Sequence, residues 1–148
     1  MEHYKNLSIN PLRGEEWRPI KGYEGKYEIS NLGRVKSVGR CIPYTNFKLR
    51  RVKATYKTII MKQYESVGYL KVDLYDNLER KRAFVHSLVA TAFIPNPENK
   101  PTVNHKRGIR KLNMVQELEW ATYSENIKHS YDKLDRKSPY EYRRLNAN

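Results

Sequence analysis

The sequence predicts an α+β fold: a small antiparallel β module, then a β-hairpin with a short helix, then a compact strand–loop–strand–helix unit. Three observations carry this reading. Tyr69, Lys71, Asp73 and Tyr75 alternate with Leu70, Val72 and Leu74, the period of a half-buried strand. Between Trp17 and Ser37, short β-branched and aromatic pieces are punctuated by Gly and Asn, as in a strongly turned antiparallel sheet. Residues 101–129 read as one strand ending at Val103-Asn104-His105, a loop, and a second strand at Leu118-Glu119-Trp120-Ala121. A helix follows, with Thr122 as N-cap and Glu125 three residues on, the pattern of a capping box.

Taken in order, residues 1–15 are polar and are expected to form an N-terminal arm. Residues 16–57 form the first module, with a tight turn at Asn31 to Gly33, where Gly33 takes a positive φ. Within it, residues 41–57 make a basic loop with interleaved aromatics. Residues 58–135 hold a strand at Ile59-Ile60-Met61, the strand ending at Tyr75, a turn at Asp76-Asn77 and a return strand from Lys81 to Val85. A helix from about His86 to Phe93 presents Leu88, Val89, Ala92 and Phe93, and Pro95 and Pro97 end it. The last helix continues past His129 with Ile127, Tyr131 and Leu134 on one face and Lys128, Lys133 and Lys137 on the other, and Pro139 closes it. Residues 136–148 read as a frayed tail.

The chain has 148 residues with 29 Lys and Arg against 16 Asp and Glu, a formal net charge of +13. Such an excess attracts polyanions, and nucleic acid is the commonest such partner of a small basic protein. No long apolar run or basic amphipathic helix points to a membrane. The single cysteine, Cys41, excludes an internal disulfide and a four-cysteine zinc site. The first ten residues lack the apolar core of a signal peptide, so a reducing cytoplasm is expected.

The combination of Val103-Asn104-His105, Gly108, Asn113, Leu118-Glu119-Trp120, Thr122 and Asn126 resembles the HNH endonuclease motif of the ββα-metal type (His-Me finger), found in phage and intron-encoded homing endonucleases. The preceding helix matches the usual lead-in. Trp17, Gly22, Tyr23, Tyr27, Ser30, Asn31, Gly33, Arg34, Val35 and Ser37 are similar to the NUMOD4 module, a short DNA-binding element often found just before HNH domains. The resemblance implies a metal-dependent DNA endonuclease acting on double-stranded DNA, here expected to be a monomer. His105 would be the general base, because an imidazole accepts a proton near neutrality. Asn104 and Asn126 would hold one divalent cation, Mg²⁺ or Mn²⁺, with waters and phosphate completing its shell.

Two positions depart from the family pattern. Glu117 stands where an asparagine usually orients the histidine; a carboxylate there is expected either to orient the imidazole and raise its basicity, or to become a metal ligand or repel a nearby phosphate. Arg107 stands where aspartate is usual. The expected DNA contacts are Ser30, Asn31, Arg34, Lys36 and Arg40 after the first turn, Arg50 and Arg51 in the basic loop, and Arg107, Arg110 and Lys111 in the HNH loop. With only a short tail after the last helix, target recognition is expected to rest on the N-terminal half. The alternative from another class is a non-catalytic DNA-binding protein, a regulator or inhibitor with a degenerate HNH site. His86 is expected to be a hydrogen-bonded structural histidine, His3 and His129 to be surface residues, and Trp120 to pack in the core.

Overall fold

The computed structural model describes residues 2–76 and 79–132. After a short 3₁₀ turn at His3–Lys5 come β1 (Trp17–Pro19), β2 (Tyr27–Ser30) and β3 (Val35–Ser37), then β4 (Arg40–Thr45) and β5 (Arg51–Tyr56). Next are β6 (Ile59–Ile60), β7 (Tyr64–Ser66), β8 (Tyr69–Asp76) and β9 (Glu79–Phe84). The chain continues through α1 (Val85–Phe93), β10 (Thr102–His105), a 3₁₀ turn at Val115–Glu117, β11 (Leu118–Ala121) and α2 (Tyr123–Asp132). The order β1-β2-β3-β6 makes one antiparallel sheet, and β7-β8-β9, β4-β5 and β10-β11 make three smaller ones. Asn77 of the expected turn, and Lys133, Leu134, Lys137, Pro139 and the tail, lie outside the described residues.

The alternation along β8 is observed: Leu70, Val72 and Leu74 are buried and Tyr69, Lys71 and Asp73 are half-exposed. They share one apolar core with Ile20, Tyr27, Ile29 and Val35 of the first module, Val85 and Val89 of α1, and Leu118 of β11. The core is therefore continuous from the N-terminal sheet to the last hairpin. Helix α1 sits at its centre and touches β1, β2, β8, β9, β10 and β11. Its C-terminal carbonyl on Ala92 accepts from Arg18 Nη1 at 2.8 Å, a cation placed where the helix leaves carbonyls unpaired.

The turn after β2 also joins the two halves. Gly33, at φ +81°, lies so close to the later loop that a Cβ there would sit 2.8 Å from the Asn113 carbonyl oxygen. Gln63 Nε2 donates to Gly33 O at 2.7 Å, and Val115 N donates to Asn31 O at 2.9 Å. Among the described residues, no helix is long and apolar enough to cross a membrane.

Candidate active site

β10 and β11 pair with Asn104 opposite Glu119 and His105 opposite Leu118. Side chains alternate along a strand, so Asn104 and His105 face opposite sides of the hairpin. His105 faces inward: it is 6% exposed, and its ring lies 5.2 Å from His86 and 6.0 Å from Tyr69. His105 Nε2 lies 2.9 Å from Asn113 Oδ1. An amide oxygen only accepts, so with the amide in this orientation Nε2 carries the proton and Nδ1 keeps the lone pair. Burial holds the His105 pKa below its usual value, and the Arg110 charge acts the same way. The Asn113 bond and the Glu117 charge oppose this in part. The imidazole is therefore neutral at pH 7.

His86 is pushed down to about 4, first by burial and then by His105, and its Nδ1 is buried without a partner among the described residues. His86 is packed in the fold as expected of a structural histidine, but the hydrogen bond expected with that role is not found at its Nδ1 among the described residues. Its sign in stability is definite: the unfolded chain takes up this proton near pH 6.5, the folded chain only near 4. Lowering the pH through that window should cost roughly 3 kcal/mol from this residue. Urea melts at successive pH values check it, and His86→Gln should flatten the slope.

The other side of the hairpin meets α2. The capping box forms as expected: Thr122 N donates to Glu125 Oε2 at 2.7 Å and Glu125 N to Thr122 Oγ1 at 3.2 Å. Farther along, His129 Nε2 donates to Lys106 O at 3.0 Å, so His129 clamps the helix against the residue after His105. Between β11 and α2 lies a groove of about 350 Å³ lined by Asn104, Glu119, Glu125, His129 and Asp132, among others. Asn104 Nδ2 donates to Glu119 Oε1 at 2.8 Å, which fixes the amide and turns its oxygen away from that carboxylate. Asn126 is half-buried on α2 and is not among the residues that line this groove, whose helical side is formed by Glu125, Lys128, His129 and Asp132.

Amide and carboxylate oxygens are the donors that suit Mg²⁺ or Mn²⁺, so the residues fit a hard divalent ion. Among the described residues, no group of three or more His, Cys, Asp or Glu makes a ready cage. The sequence placed Glu119 and Asn113 in the motif without a role at the site and read His129 as a surface residue, whereas the structure sets them against Asn104, His105 and Lys106 O. The alternation that places Asn104 on one face and the facing strand register would have indicated Glu119.

A model of the NUMOD4 motif matches residues 15–75. An uncharacterised HNH endonuclease, L247, of Acanthamoeba polyphaga mimivirus is 36% identical over 125 residues, which are 81% of this chain and 27% of that protein. The DNA endonuclease I-HmuI of Bacillus phage SP01 is 33% identical over 114 residues, 77% of this chain and 56% of that one. A solved structure of the HNH homing endonuclease I-HmuI, described in terms of DNA binding and cleavage, superposes with a TM-score of 0.65 at 27% identity. It covers 88% of this chain and 65% of that chain. The chain is a NUMOD4-bearing relative of the HNH homing endonucleases. It spans about a quarter to just over half the length of these two curated relatives.

Against the HNH pattern, the two departures meet each other. Arg107 Nε donates to Glu117 Oε2 and Arg107 Nη2 to Glu117 Oε1, both at 2.7 Å. This bidentate pair closes the HNH loop, together with Lys106 N on Glu117 O at 2.9 Å. Both oxygens of Glu117 are thus engaged by Arg107, and the side chain against the imidazole is Asn113. Glu117 reaches His105 only through its field.

The expected DNA contacts divide sharply. Arg34 and Ser30 are fully buried and cannot meet a phosphate, which corrects the expectation for both. Ser30 Oγ accepts from Arg34 N at 3.0 Å. The Arg34 guanidinium donates to the carbonyls of Asn6, Ser8 and Asn10 and to the Glu15 carboxylate. Asn31 is also committed to the fold: its Oδ1 accepts from Glu16 N at 3.0 Å and its Nδ2 donates to Gly14 O at 2.9 Å.

Lys36 pairs with Glu28 and stacks 4.3 Å over Trp17. Arg40 donates to Lys26 O and Val38 O and lies between Tyr27 and Tyr56. Arg50 and Arg51 are exposed. In the HNH loop, Lys111 pairs with Glu65, whereas Arg110 stacks 4.9 Å over Tyr69 and pairs with no carboxylate among the described residues. Arg107, Arg110 and Lys111 line a second cavity, of about 530 Å³, against Gly68.

Proposed function

We propose that this chain is a metal-dependent HNH endonuclease that hydrolyses a phosphodiester bond of double-stranded DNA. The observation that carries the reading is the His105 imidazole held by Asn113 at the end of β10, next to Asn104, whose amide Glu119 fixes at the edge of the groove between β11 and α2. In-line hydrolysis needs a base on the side of the attacking water and charge stabilisation on the side of the leaving oxygen. His105 would take the water's proton on Nδ1, with Asn113 holding Nε2–H. Asn104 and Asn126 would hold one Mg²⁺ or Mn²⁺, with Glu119 fixing the Asn104 amide. Bound there, the ion would supply the positive charge that stabilises the leaving oxygen. Arg110, stacked on Tyr69 and with no carboxylate partner among the described residues, is the loop cation best placed to meet the strand.

Incubation with supercoiled plasmid tests the proposal. Relaxation should require Mg²⁺ or Mn²⁺ and stop with EDTA. DNA binding without metal-dependent relaxation would instead select the non-catalytic DNA-binding reading. The Arg107 and Glu117 departures motivate that second reading, although their mutual pairing keeps the HNH loop closed.

A further inference from the structure

Among the described residues the β4–β5 ribbon pairs only with itself, and no other helix or strand packs extensively against it. Its register sorts its side chains. Arg40, Ile42, Tyr44, Val52, Ala54 and Tyr56 share one face, while Cys41, Pro43, Thr45, Arg51, Lys53 and Thr55 share the other. One face is thus largely apolar and aromatic, and the other polar and basic. Between Glu28 and Glu65 the chain has no acidic residue at all.

The tip is built rather than loose. Asn46 Oδ1 accepts from Lys48 N at 3.0 Å and Arg50 N at 3.1 Å, while Leu49 N donates to Asn46 O at 2.9 Å. This turn holds Leu49 at φ +57°, a conformation that glycine or asparagine adopts at less cost. It presents Phe47 at 90% and Leu49 at 87% exposure, flanked by Lys48, Arg50 and Arg51.

We propose that the ribbon lies along a groove of a DNA duplex and that Phe47 and Leu49 at its tip wedge between stacked bases. The inference rests on the DNA reading above and adds a mode of binding to it. A duplex combines a dense anionic surface with a flat apolar stack beneath it, the two properties that this tip complements together. A two-stranded ribbon has the width that a major groove admits. Cations run back from the tip along the polar face at Arg51 and Lys53 rather than ringing the tip alone. That spacing suits the walls of a groove, whereas a bilayer would meet only the tip.

The test uses the full chain in EDTA on a plasmid-derived duplex of mixed sequence, with permanganate reactivity of thymines reporting unstacking. The wild type should create hyperreactive thymines. The Phe47→Ala, Leu49→Gly double variant should abolish them and weaken binding about tenfold or more, with the salt slope unchanged, as base stacking requires. Leu49→Gly suits the turn's backbone, so the tip should keep its shape. Arg51→Ala with Lys53→Ala should instead reduce the log–log salt slope by about 2 and leave the hyperreactivity.

Metal-dependent relaxation and DNA binding with no hyperreactive thymine would overturn the wedge and leave the nuclease reading intact. No DNA binding by the wild type would overturn both. Two further results would reassign the tip and overturn the wedge: loss of binding to phosphatidylserine vesicles in the double variant while DNA distortion persists, or a wild-type dimer that the variant dissolves.

Discussion

His105→Ala should reduce metal-dependent relaxation of supercoiled plasmid by about 10²- to 10⁴-fold, the contribution of a positioned general base. DNA affinity should stay within about twofold, because a neutral side chain at 6% exposure makes no phosphate contact. The pH profile carries a second signature. The base works only when unprotonated, so activity should fall on acidification. Burial lowers the His105 pKa, so that fall should come below the ordinary histidine range. Asn113→Ala removes a bond that raises this pKa and fixes the tautomer. The acid limb should then move to still lower pH while the plateau drops by a smaller factor than in His105→Ala. A variant at 105 that cleaves as the wild type does would sink the assignment.

Arg34→Met should destabilise the fold by about 3–5 kcal/mol, the cost of stranding one member of a buried ion pair. It leaves the Glu15 carboxylate without its guanidinium and frees the carbonyls of Asn6, Ser8 and Asn10. In a domain of this size the melting temperature should fall by roughly 10 °C. Arg34→Lys should recover little, since one ammonium cannot replace a planar fork of five donors. Arg34→Met with Glu15→Leu should recover part of the loss. Thermal or urea melts decide the matter. A phosphate-contacting Arg34 would give the opposite pattern: an unchanged melt and a shallower salt dependence of DNA binding.

The hairpin, the capped helix and the alternation of β8 were legible because each is written locally. Val103-Asn104-His105 falls at the end of β10, Leu118–Ala121 is β11, and Thr122 with Glu125 forms the box that starts α2. The fate of the arginines was not legible. Arg34 and Arg50 look alike in sequence, each in a polar turn. Their difference comes from the folding back of residues 6–15, which offers Arg34 a carboxylate and three carbonyls and offers Arg50 no such cradle. The orienting partner of His105 was hidden for a related reason. Position 117 sits beside the strand in sequence, but Arg107 draws its carboxylate outward, while Asn113 is delivered from the loop's far side.

The contact at Gly33 limits how freely the two halves could be exchanged among relatives. Any side chain at that turn would push on the Asn113 backbone, and through it on the proton inventory of an imidazole seventy-odd residues away in sequence. Grafting a different N-terminal module would therefore perturb the chemistry unless the incoming turn were equally bare. The N-terminal module and the loop that carries Asn113 thus meet at a contact with room for a hydrogen atom and nothing larger.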